Sequence, residues 1–115
     1  MSPIEDHYGA DVRLGTARLK KEIGYNPAYF NRMVAEHGAV EASRRLIMAD
    51  TVSDGFTKLW EHRRLGMSVE ALALLPWYTS LFDNTVVSKA RRRLEAHDFD
   101  VDEYLQTVDT PDWWS

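Results

Sequence analysis

Asn26-Pro27-Ala28-Tyr29-Phe30-Asn31-Arg32-Met33-Val34-Ala35-Glu36-His37-Gly38 is the stretch that decides the fold. Phe30, Met33, Val34 and His37 stand at i, i+3, i+4 and i+7, one face of a helix. Asn26 is placed to cap it, Pro27 suits a first helical position, and Gly38 suits the stop.

Working outward, the same period recurs. Upstream, Val12 to Ile23 predicts a helix with Leu19 and Ile23 inward and Gly24 as its end. Downstream, Val40 to Met48 predicts another with Val40, Ser43, Leu46 and Ile47 on one side, closed by the turn-forming run Asp50 to Gly55. Ser53 caps a helix carrying Phe56, Leu59, Trp60 and Arg63, with Asp54 at the positive dipole end. Ser68 caps a two-turn helix bearing Val69, Leu72, Ala73 and Leu75, which Pro76 interrupts. Trp77, Tyr78, Leu81 and Phe82 form an aromatic connection. Asp83 opens a helix to about His97 with Val86, Val87, Ala90 and Leu94 inward. Asp100 and Glu103 make a capping box before Tyr104, Leu105 and Val108. Neither sustained alternation nor a hairpin signal is found, so the reading is all-α: a compact orthogonal bundle of five to seven short helices. Residues 1–10 are expected as a flexible N-terminus, 11–97 as the helical domain, and 98–115 as an acidic C-terminal helix and Trp-Trp tail.

With 115 residues the chain suits one domain. Without Cys it has no disulfide, thiolate zinc site or Cys nucleophile. No apolar run nears the roughly 20 residues that cross a bilayer, and Met1 to Asp6 lacks the start of a secretion signal. The expected location is cytoplasmic, without membrane attachment. The net charge of −4 hides an asymmetry. Residues 1–94 hold all 14 Lys and Arg against 11 acids, a balance of +3, while 95–115 hold seven acids and no base.

The residues offer little to reaction chemistry. His7, His37, His62 and His97 lack the spacing that puts two imidazoles on one helix face, so no metal is expected. There is no nucleophile elbow and no phosphate-cradling glycine loop. Carboxylates crowded on an exposed tail lack the burial that tunes a catalytic pKa, and a small helical domain leaves little room for a closed pocket. The expectation is no enzyme, no catalytic residue and no cofactor.

Surfaces are the remaining candidates. Arg91, Arg92 and Arg93 fall within one predicted helix, Arg91 and Arg93 flanking its apolar face and Arg92 pointing outward. The preferred reading is that the acidic tail folds back and neutralises them. The rival is a DNA- or RNA-binding face of Lys58, Arg63, Arg64, Arg91, Arg92 and Arg93, masked by that tail. A sequence pI near 5.5 opposes it, being far from a basic footprint. Trp113 and Trp114 follow Pro111 near the end of the sequence; one ring is expected to pin the terminus, and together with Trp77 and Tyr78, for which core filling is the favoured alternative, they are the candidate anchors for a protein partner. Trp60 is expected in the core.

From Gly24 to Leu94 the chain resembles an uncharacterised small bacterial helical domain found alone or at the end of larger proteins, some with restriction-endonuclease or helicase-like parts. The resemblance is carried by Gly24-Tyr25-Asn26-Pro27, Val40-Glu41-Ala42, Ser53-Asp54-Gly55-Phe56-Thr57-Lys58-Leu59-Trp60-Glu61, Ser68-Val69-Glu70-Ala71-Leu72 and Ala90-Arg91-Arg92-Arg93-Leu94. Gly66-Met67 departs from its pattern. The resemblance implies the helical fold and, by analogy, a defence or nucleic-acid-processing setting; it supplies no catalytic residues. The leading expectation is a non-enzymatic adaptor or regulatory module that binds another protein, with nucleic acid as the alternative partner. Oligomeric state is left open.

Overall fold

Seven α-helices follow one another without a strand among residues 3–114, the residues that the computed structural model describes. They are α1 (Pro3–Arg18), α2 (Ala28–His37), α3 (Ala39–Met48), α4 (Asp54–Glu61), α5 (Val69–Ala73), α6 (Asn84–Ala96) and α7 (Val101–Thr107). Met1 and Ser2 of the expected flexible N-terminus, and Ser115 of the tail, lie outside them.

The N-terminal expectation is corrected. Pro3 to Ala10 are helical, and α1 runs on through a π turn, Leu19–Ile23, to Gly24. Tyr8 is fully buried and donates a 2.7 Å hydrogen bond to Ser43 Oγ of α3. Beside it Gly9 faces α3, where a Cβ would meet Ala39 Cβ at 3.9 Å, an ordinary contact. Apolar periodicity missed this helix because only Tyr8, Gly9 and Val12 are buried along it. Pro3 at the start with Glu5 and Asp6 in the first turn was the available signal.

The helix on which the reading began is present, with one change at its head. Pro27 takes the cap position with no side-chain cap bond, and Asn26 contributes its backbone carbonyl to Ala28 N–H at 2.8 Å. Phe30 and Met33 are buried. Gly38 (φ 86°, ψ 162°) ends α2 and heads α3, reversing the chain in one residue. Four side-chain caps are where the sequence put them: Ser53 accepts from Phe56 N–H, Ser68 from Ala71, Asp83 from Val86 and Asp100 from Glu103, all at 3.0–3.1 Å.

Tyr8, Tyr78 and Phe82 form the aromatic centre, edge to face at 5.0 and 5.5 Å between centroids. Trp60 is not core: it is 48% exposed. Helix α4 has eight residues and buries only Phe56 and Leu59, so Trp60 falls at the edge of a narrow apolar arc and lies edge-on to His97 at 5.3 Å. Trp77 and Tyr78 are core instead, at 6% and 0% exposure.

Candidate functional site

The cations show first what the surface offers. Arg93, expected at a flank, is buried. Its Nη1 lies 3.3 Å from Glu70 Oε2, and its Nη2 donates to the Ala49 carbonyl at 2.6 Å. One turn earlier Lys89 Nζ donates to the Met48 and Ala49 carbonyls at 2.9 and 3.0 Å. Two cations of α6 thus satisfy the carbonyls that end α3, where the helix dipole favours them. Glu70 is 1% exposed, and burial raises its carboxyl above the ordinary value even with Arg93 beside it.

Three of the five remaining cations of the expected nucleic-acid face are paired with acids. Arg91 lies 3.3 Å from both Glu95 and Asp102, so the acidic tail does reach one arginine. It is not the tail but Glu70 of α5 that neutralises Arg93. Arg64 donates to Glu22 Oε1 at 2.5 Å, and Lys58 is 4.0 Å from Glu61. Arg63 and Arg92 are exposed and have no ion pair among the described residues. Glu41 binds both Arg44 and Arg45 at 2.7 Å, and the Arg44 hydrogen bond leads in lowering its carboxyl to about 2.

The expected partner-binding aromatics separate. Trp77 and Tyr78 are inside and unavailable as anchors: Tyr78 packs against Tyr8 and Trp113, and Trp77 lies edge-on to Tyr78. The indole of Trp113 stacks on His7 at 4.0 Å with planes 2° apart, which pins the C-terminal segment to α1. Trp114 is 38% exposed.

A feature the sequence reading missed dominates the surface: a half-open cleft of about 510 Å³. This is within the range of sites that hold a small molecule or a few anchoring side chains. One wall comes from α1 through Val12, Leu14, Gly15 and Leu19; another from Tyr25, Pro27, Tyr29 and Phe30. Leu46, Val52, Phe56 and Leu59 contribute apolar surface, and the segment Gly66 to Leu72 closes the remainder. Leu14 and Tyr29 stand 59% and 67% exposed among these lining residues. The expectation concerned a closed pocket; what the bundle has is a half-open cleft. Its lining includes non-helical segments, Thr51 to Ser53 and the 3₁₀ turn Leu65–Met67, as well as helices.

Four charged residues line the cleft. Glu70 is tied to Arg93 as above. Arg18 donates to Glu22 Oε2 at 2.9 Å, and Glu22, held also by Arg64, has its carboxyl below the usual range, chiefly through the Arg18 hydrogen bond. Asp11 accepts the Tyr78 hydroxyl at 2.5 Å. Asp54 opens α4. Neither aspartate has a cation within ion-pair distance among the described residues. No group of three or more His, Asp or Glu able to hold a metal occurs among them either. No described helix is long and apolar enough to cross a membrane.

These features define a class by fold and surface alone, an all-α bundle with an apolar side cleft. Comparison with family models, with curated proteins and with solved structures gives no match.

Proposed function

We propose that the protein is a non-enzymatic, cytoplasmic adaptor or regulatory module that docks a helical segment of another protein in the cleft between α1, α2 and α4. The observation that carries this is the position of Leu14 and Tyr29. Two large apolar side chains stay in solvent beside an apolar cleft, so the apolar surface continues outward beyond the cavity. Contiguous apolar surface of this kind characterises interaction sites. A small ligand inside the cleft would touch these side chains only on their inner sides; a helix laid along the groove covers more of their exposed surface. The setting suggested by the resemblance at Ser53 to Glu61 is a bacterial defence or nucleic-acid-processing assembly.

The test is selection of random peptides on the immobilised full chain. Enriched peptides should carry apolar residues at helical spacing, and should lose at least about tenfold in affinity to Leu14→Ser and Tyr29→Ser, a difference of about 1.4 kcal/mol. Both positions are exposed, so circular dichroism should be unchanged. Enriched peptides that bind both variants as well as the parent would overturn the proposal.

A further inference from the structure

The charges around the cleft narrow the chemistry of what it takes. Resting on the cleft reading, we infer that the docked segment is a cationic amphipathic helix, its apolar face against the cleft and its Lys or Arg residues paired with Asp11 and Asp54.

The argument is one of complementarity. Of the charged groups at the cleft, Glu70 is buried against Arg93 and has no charge to offer. Arg18 is held by Glu22, which also takes Arg64, so the positive excess at that end is one charge spread over two engaged guanidiniums. Asp11 and Asp54 differ: both are exposed, and neither faces a cation of its own chain. The Asp11 carboxylate is held in place by the Tyr78 hydroxyl, and Tyr78 is immobile in the core. A carboxylate already oriented loses little freedom on pairing, which favours an incoming cation. An acidic segment would instead meet two like charges that have no ion-pair partner among the described residues, while its apolar face was being desolvated.

Two designed peptides of about 20 residues, long enough for measurable helicity, test this. They share one Leu-rich face and differ only in carrying Lys or Glu on the other. Binding to the full chain is followed by fluorescence anisotropy. The Lys peptide should bind about tenfold tighter than the Glu peptide at low salt, and the gap should narrow at about 200 mM salt as screening shortens the interaction range. In the double variant Asp11→Asn, Asp54→Asn the preference should vanish; Asn keeps an acceptor for Tyr78. Equal affinity for the two peptides would overturn the inference, as would no binding of the Lys peptide. So would a preference that survives the double variant, which would place the attraction on the acidic tail. The cleft reading is judged separately, by whether Leu14→Ser and Tyr29→Ser weaken both peptides alike.

Discussion

Arg93 and Glu70 face each other across α6 and α5 at 3.3 Å, with side chains 7% and 1% exposed. Removing one partner leaves the other charged and buried, so Glu70→Ala or Arg93→Ala should cost about 3–5 kcal/mol by denaturant unfolding. Glu70→Leu with Arg93→Met should recover much of that loss. It should not recover all of it, because Arg93 also serves the α3 carbonyls.

The pH dependence has a definite sign. The Glu70 carboxyl lies above its ordinary value of 4.5 in the folded protein, so from that pH upward the folded state holds more protons than the unfolded state. Its contribution to stability therefore falls as pH rises above about 4.5. Glu70→Gln should flatten this part of the stability profile. Parallel profiles for parent and variant would show that the carboxyl titrates alike in both states.

Tyr8→Phe should cost about 1–3 kcal/mol, since it strands the buried Ser43 hydroxyl. Tyr8→Phe with Ser43→Ala should restore most of the loss, because no polar group is then left unpaired. The double-mutant cycle in thermal or denaturant melts reads this coupling directly.

Phe56→Ala should cost roughly 3–5 kcal/mol, and Trp60→Ala clearly less, although both rings are on α4. Asn26→Ala should be within about 0.5 kcal/mol of the parent, because its side chain caps nothing. Ser53→Ala should lose about 1 kcal/mol. Equal melting shifts for Phe56→Ala and Trp60→Ala would contradict the burial described.

Trp113→Ala should free the C-terminal segment, read as faster proteolysis after Val108 and loss of the near-ultraviolet signal from the stacked ring. Trp114→Ala should leave proteolysis unchanged.

The features legible in the sequence are those set by a few neighbouring residues. Ser53, Ser68, Asp83 and Asp100 each bond a backbone N–H three residues on, so their caps could be read without tertiary knowledge. Glu70 shows the limit. Its place in the first turn of α5 suits the helix dipole, as an exposed acid there would, but its burial depends on Arg93, 23 residues away. Trp60 was misplaced for a related reason: a helical wheel gives a direction but not the width of the arc that neighbours will cover. The cleft was least legible. Its walls come from α1, α2, a loop and a 3₁₀ turn, and no local pattern records the space between them.

Gly38 shows how unevenly this bundle would withstand change. Its φ of 86° with ψ of 162° belongs to a region that side chains with a Cβ scarcely enter. Any other amino acid there would hold a strained backbone, at a cost of about 1–3 kcal/mol, or shift the corner between α2 and α3. The joint between two helices thus rests on one residue without a Cβ, whereas Tyr29, exposed in the first turn of α2, can change without straining the backbone.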